Sequence, residues 1–119
     1  DVIVCSMVVN CVTTPSARGD MMLKLHKFVR IEGILFLTVP KSCLTLSRHM
    51  SREIFIEMME GIGWEVVESK DSPKISFFVC KKVADTGSIN VAEYSDVKTL
   101  YQGKKFTSDF GICFSRNGT

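Results

Sequence analysis

The feature that most constrains this chain is the run Gly33-Ile34-Leu35-Phe36-Leu37-Thr38-Val39-Pro40. It is almost wholly apolar, opens at a glycine and stops at a proline. Such a run is too short to be a core helix and does not alternate. It therefore reads as a central strand covered on both faces. A second β-branched run, Asp1-Val2-Ile3-Val4-Cys5-Ser6, lies upstream and reads the same way, as a buried parallel strand.

Between the two runs the pattern changes period. Thr14 is placed to cap a helix and Pro15 to open it. From Pro15 to Ile31, the residues Ala17, Met21, Met22, Leu25, Phe28 and Val29 fall on one helical face, with Gly33 as the expected C-cap. Strand, helix and strand with short joints make a right-handed βαβ unit. Lys41 to Leu46 reads as a loop, and Ser47 as the cap of a helix from Arg48 to Ile62 that ends at Gly61 and Gly63. Its apolar face is Met50, Ile54, Phe55, Met58, Met59 and Ile62. Trp64–Glu68 and Ile75–Cys80 then read as an antiparallel hairpin across the polar stretch Ser69–Lys74. The rest is mostly loop, with a possible last strand near Asp109–Phe114.

Composition narrows the function classes only a little. A formal net charge of +2 neither supports nor excludes nucleic acid. No apolar run reaches the roughly 18 residues of a membrane span. The apolar start lacks a basic leader and does not read as a signal peptide; a chain opening inside a strand reads as a piece of a longer protein. The five cysteines, Cys5, Cys11, Cys43, Cys80 and Cys113, are odd in number and form no Cys-x-x-Cys pair. They read as reduced thiols of a cytosolic or nuclear protein, with no metal site, and Cys5, Cys43 and Cys80, in or beside apolar runs, as small buried hydrophobes.

Four passages carry a resemblance. They are Asp1-Val2-Ile3-Val4-Cys5-Ser6-Met7-Val8-Val9-Asn10-Cys11-Val12, Arg18-Gly19-Asp20-Met21-Met22, Leu35-Phe36-Leu37-Thr38-Val39-Pro40 and Ser47-Arg48-His49-Met50. Together they resemble the adenine-N(1) methyltransferases of large-subunit (25S) ribosomal RNA, which are class I S-adenosylmethionine-dependent enzymes. Glu60-Gly61-Ile62-Gly63-Trp64 is similar to the passage from last helix to sixth strand in class I enzymes, and Phe106–Ile112 looks like the family's last strand.

The resemblance implies an α/β fold, the C-terminal half of a Rossmann-like methyltransferase domain. It would have two parallel strands with crossover helices plus an antiparallel edge hairpin. Residues 1–82 would form that half and 83–119 a partly irregular tail. The glycine-rich first loop and the acidic residue after the second strand, which carry most cofactor contacts in class I enzymes, lie upstream of this sequence. The chain alone would therefore hold the cofactor poorly, be inactive by itself, and self-associate through its first strand. The resemblance also implies a nuclear, nucleolar protein of ribosome biogenesis. The superfamily includes an animal S-adenosylmethionine sensor, so a non-catalytic sensor or an interaction module on the same fold is the alternative.

In open α/β sheets ligands lie at the carboxyl ends of the strands. Taken with the resemblance, this implies that Ser6 and Met7 border the methionine part of S-adenosylmethionine, and that Asn10, Pro40, Lys41 and Arg48 face the RNA. Each has a plainer reading: Asn10 as a turn residue, Pro40 as a strand end, Ser47 as a cap, and Lys41 and Arg48 as solvated cations. Arg18 reads as an RNA-phosphate contact or as a solvated arginine. His26 and His49 read as lone histidines on helix surfaces, with a general base near the strand end as the functional reading of His49. No catalytic residue is singled out. Lys81, Lys82, Lys98, Lys104 and Lys105 suggest a weakly phosphate-binding tail or a merely solvated one, and Asn117-Gly118-Thr119 reads as a chance sequon.

Overall fold

The computed structural model describes residues 2–85, 87 and 94–114. The expected first residue of the leading strand, Asp1, and the sequon at 117–119 lie outside the described residues.

The chain folds as a mixed α/β unit around one four-stranded sheet. In order, its elements are β1 (Val2–Ser6), a 3-10 turn (Val9–Cys11), α1 (Pro15–Phe28), β2 (Ile34–Pro40), the short α2 (Ser42–Thr45), α3 (Arg52–Ile62), β3 (Trp64–Asp71) and β4 (Ile75–Lys82). The sheet order is β1-β2-β4-β3. β1 runs parallel to β2, with Val4 opposite Phe36. β4 is antiparallel to both β2 and β3. The expected parallel pair and hairpin are thus present, and the hairpin docks on β2 through its second strand. The hairpin strands are longer than expected, which leaves only Ser72–Lys74 for the turn.

The sheet is covered on one face. There Leu35, Leu37 and Val39 of β2, Phe78 and Cys80 of β4, and Cys5 of β1 are buried together with Met22, Phe55, Met58, Met59 and Ile62 from the helices. Burial of that kind contributes roughly 1.5–3 kcal/mol per large side chain. The opposite face is bare: Phe36 is 44% exposed, Phe77 41% and Val4 68%. The expectation that the apolar runs are covered on both faces is therefore met on one face only. Phe36, Thr38, Phe77 and Val79 line a shallow apolar groove of about 460 Å³ on the bare side.

Several local expectations change. Helix α1 stops at Phe28, not Ile31, and its cap is Val29 in extended conformation rather than Gly33. Its buried stripe passes through Gly19, Met22 and His26 and continues to Val29, whereas Phe28 points outward at 74% exposure. The spacing of three, four and three residues is a helical seam, but one that carries a histidine where a hydrophobe was expected. The seam ends where Lys82 Nζ, itself buried, donates to the carbonyls of His26 and Val29 at 2.8 Å each. A cation against the last carbonyls closes a helix favourably. His26 is accordingly 4% exposed and not a surface residue. Lys82 is a buried cap and not part of a basic tail, and Lys81 pairs with Glu32.

Helix α3 starts at Arg52, with the Ser51 hydroxyl accepting from the Ile54 amide at 3.2 Å, so the cap is Ser51 and not Ser47. Met50 is buried ahead of the helix, and the expected loop after β2 contains the turn of α2. Gly63 closes α3 as expected, at φ 122°, and a Cβ there would stand 2.6 Å from His26 Nε2. At the other end, Arg52 reaches Asp71 and Ser69 of the hairpin and lies over the Phe78 ring. Burial works to raise the Asp71 pKa, but hydrogen bonds from Ser76 and Arg52 hold the carboxyl below its usual range. Cys5 and Cys43 are buried thiols pushed up by burial, and Cys80 is pushed up to about 12, which leaves all three unreactive.

The segment expected as a last strand is not a strand. Phe110, Ile112 and Phe114 are buried in the same core, but the chain there is extended and held singly. Ser108 bridges Ser47, the Cys113 amide donates to the Pro15 carbonyl, and the Phe114 amide donates to that of Tyr94.

Gly63→Ala is expected to lower stability by about 2 kcal/mol, because the alanine meets both an unfavourable φ and the His26 ring. Ser51→Ala should cost about 1 kcal/mol through loss of the cap. Urea unfolding midpoints of both variants against the parent check the order. Burial lowers the His26 pKa below the ordinary 6.5, with the Lys82 ammonium adding to the effect. The unfolded chain then binds a proton that the folded chain refuses, so stability falls as pH drops below about 6.5 toward the depressed folded value. His26→Phe should flatten that slope between pH 7.5 and 5; an unchanged slope would refute the assignment.

Candidate functional site at the carboxyl end of the parallel strands

The carboxyl ends of β1 and β2 come together in register, with Ser6 opposite Thr38. The two hydroxyls are 3.2 Å apart. The chain then leaves β1 through Met7, which has a left-handed φ of 59°. That conformation is costly for a long side chain and is held from outside. The Met7 amide donates to both the carbonyl and the hydroxyl of Thr38, at 3.0 and 3.1 Å. The Met7 carbonyl accepts from the Cys11 thiol at 3.2 Å. Thr38 thus fixes the turn by which β1 opens into the 3-10 turn that carries Asn10.

A groove of about 620 Å³ lies at this end of the sheet. Met7, Pro40, Lys41, Ser42, Thr45 and Leu46 form one side, and Pro73, Lys74 and Ile75 of the hairpin turn form the other. The Lys41 amide donates to the Lys74 carbonyl at 2.8 Å, which ties the two sides together. Because β4 is antiparallel to β2, the turn before it arrives beside the exit of β2. Two lysines therefore stand at one groove, and no carboxylate or imidazole is among its described lining residues. A groove of this charge can hold an anionic ligand.

Three of the six sequence-derived site residues, Met7, Pro40 and Lys41, share this groove. Ser6 is exposed, bonded to Thr38, and is not among the groove's lining residues. Asn10 stands apart: its amide nitrogen is 3.8 Å from Cys11 Sγ, and its Oδ1 is shut off from solvent with no hydrogen-bond partner. Arg48 lies beyond α2, with its guanidinium 2.6 Å from Asp109 Oδ1. Ser47 donates to the Phe110 carbonyl and accepts from the His49 amide, so it holds a loop and caps no helix. His49 is not on a helix; its Nδ1 is 3.1 Å from the Lys98 carbonyl and its Nε2 is 3.7 Å from Asp109.

Arg18 is neither solvated nor free. Its Nε donates to the Val12 carbonyl and its Nη1 to that of Gly111, both at 2.9 Å, and its guanidinium lies 5.0 Å from the Phe110 centroid. Next to it, a Cβ on Gly19 would fall 2.0 Å from the Cys113 carbonyl oxygen. The Arg18-Gly19 pair is therefore the seat of the segment around residues 110–114. Glycine inside a helix costs about 1 kcal/mol against alanine, which was the available hint of such close packing. Lys74 is the charged lining residue of the groove that sequence reasoning missed. Its distance from Lys41 along the chain hides the pairing, which only the antiparallel register creates.

The family whose model matches this chain is described as "25S rRNA (adenine(2142)-N(1))-methyltransferase, Bmt2", over residues 1–112. The protein named 25S rRNA (adenine(2142)-N(1))-methyltransferase from Saccharomyces cerevisiae (strain ATCC 204508 / S288c) is 31% identical over 77 residues. That stretch is 65% of this chain and 23% of the yeast protein, so the chain spans about a quarter of that relative's length.

Met7→Gly tests the held turn. Glycine adopts positive φ freely, so the substitution should be neutral or stabilising by up to about 1 kcal/mol, against the usual cost of removing a half-buried methionine. Thr38→Val should destabilise by about 1 kcal/mol or more, since the Met7 amide loses an acceptor and Ser6 its partner. Chemical denaturation of the two variants reads both signs.

Proposed function

The chain belongs to the 25S rRNA (adenine(2142)-N(1))-methyltransferase family, Bmt2, and on that premise we propose that it is the carboxyl-terminal half of an S-adenosylmethionine-dependent methyltransferase domain. The whole protein then transfers a methyl group to N1 of an adenine in large-subunit ribosomal RNA. The observation that carries this reading is the family match along residues 1–112, which spans every strand and helix of the fold.

In this reading residues 1–82 are the second half of a Rossmann-like domain, and 83–119 its tail. The bare face and the one-sided pairing of β1 support it, since a doubly wound sheet carries helices on both faces and further parallel strands beyond β1. Without those partners the isolated chain would self-associate through β1.

The residues present fit one wall of a cofactor site. Ser6 and the held turn at Met7 would border the methionine part of S-adenosylmethionine. The cofactor supplies an activated methyl carbon. When bound, it would offer that carbon to the in-plane lone pair of adenine N1. No base has to remove a proton at N1, so a groove lined by lysines and lacking a carboxylate is no obstacle. What this chain contributes is placement and exclusion of water. Lys41 and Lys74 would hold the RNA backbone beside Pro40. Asn10 would offer its amide to the adenine edge. Arg48 would exchange its Asp109 partner for a phosphate. The protein would act in the nucleus, in the nucleolus, during ribosome biogenesis. Among the described residues no helix is long and apolar enough to cross a membrane.

Two measurements on a chain of full family length test the reading. Titration calorimetry should show S-adenosylmethionine binding by the long chain and at least tenfold weaker binding by residues 1–119. Unmodified large-subunit ribosomal RNA should gain N1-methyladenine when incubated with the long chain and cofactor. A long chain that ignores the cofactor, or binds it and methylates nothing, defeats the proposal; the second outcome would point to a sensor.

A further inference from the structure

The segment after β4 contains a structured turn at Tyr101–Phe106. Gly103 bends it at φ 127°, and the Phe106 amide donates to the Gly103 carbonyl at 3.2 Å. The turn brings Tyr101 and Phe106 face to face, with centroids 5.1 Å apart and planes within 15°. Lys105 Nζ stands 5.1 Å from the Phe106 centroid. Lys104 and Lys105 are exposed, and Tyr101 is 38% exposed. The two stacked rings lie beside two cations and outside the hydrophobic core, with Phe106 half-buried and the Tyr101 ring partly open to solvent.

The turn is also placed. The Leu100 and Tyr101 amides donate to the Arg48 carbonyl at 2.7 and 3.2 Å. The Ser108 amide donates to the carbonyl of Leu46, and the Arg48 amide to that of Ser108, both at 3.0 Å. Leu46 lines the groove at the carboxyl end of β2. The aromatic pair is thereby clamped by backbone bonds next to that groove.

Resting on the reading above that the groove serves an RNA substrate, we propose that Tyr101 and Phe106, with Lys104 and Lys105, form a docking platform for an unpaired nucleotide flanking the target adenine. The chemistry of the reaction asks for such a platform. N1 lies on the Watson–Crick edge of adenine, so the target must be unpaired when it reacts, and its neighbours are then free to stack. Aromatic faces with adjacent cations bind such strands with little regard to sequence. Tyr101 supplies the stacking face, Phe106 stiffens it from behind, and the lysines take the phosphates on either side.

The experiment measures the affinity of the full-length protein for a fluorescein-labelled ten-nucleotide oligoadenylate, and for an abasic oligomer with the same number of phosphates. The wild-type protein should prefer the oligoadenylate. Tyr101→Ala should weaken oligoadenylate binding roughly tenfold and leave abasic binding unchanged. Tyr101→Phe should restore the preference, which separates stacking from a collapsed loop. Lys104→Ala with Lys105→Ala should weaken both probes and make the salt dependence shallower by roughly 1.4 for two phosphates. Equal affinity for the two probes in the wild type, or a Tyr101→Ala protein that keeps the preference, overturns the platform. Methyl transfer is scored separately: a protein that shows the stacking preference yet methylates no adenine sinks the catalytic reading and leaves the platform standing.

Discussion

Strand β2 is held on both edges by partners of opposite sense, and the rest of the molecule depends on that arrangement. β1 lies parallel on one edge and β4 antiparallel on the other. The parallel partner brings the exit of β1 to the exit of β2, so that Thr38 can hold Met7 in a conformation it would not choose alone. The antiparallel partner works at both ends at once. Its entry brings Lys74 to the groove, and its exit drives Lys82 under the last turn of α1. One strand thus sets the charge of the site and the length of the helix on the far side.

The site end is built mostly of loops, and backbone hydrogen bonds hold them. Residues 100–108 are tied to the carbonyls of Leu46 and Arg48, and residues 110–114 to the start of α1 through Arg18, Gly19 and Pro15. Irregular chain held this way can place side chains without belonging to the sheet. It also brings the Arg18-Gly19 passage against residues 110–113, although they lie far apart in sequence. They are two halves of one contact.

The bare face of the sheet has a different meaning. Phe36, Phe77 and Val4 lie in adjacent strands and leave an apolar surface that the described residues do not cover. Such a surface is costly in water unless another layer covers it. The covered face carries the stability of the sheet, and the bare face adds little to it.

The features that follow from the amino-acid order alone are local in range. The runs of β1 and β2, the hairpin, the Thr14 cap, the apolar face of α3 and its stop at Gly63 were all legible, because periodicity and capping chemistry act within a few residues. So were the buried thiols of Cys5, Cys43 and Cys80. The groove was legible by half: strand ends announce Met7, Pro40 and Lys41, but nothing near them announces Lys74. What only the tertiary structure decided were the contacts across long stretches of chain. Phe28 faces out and His26 in because Lys82, 56 residues away, caps the helix there. Ser47 yields its capping role to Ser51 because Phe110, 63 residues on, offers a buried carbonyl to its hydroxyl. Arg18 is a latch because Gly111, 93 residues on, lies against it. A lone polar residue looks the same in sequence whether water or a distant carbonyl satisfies it, and only the packed chain makes that choice.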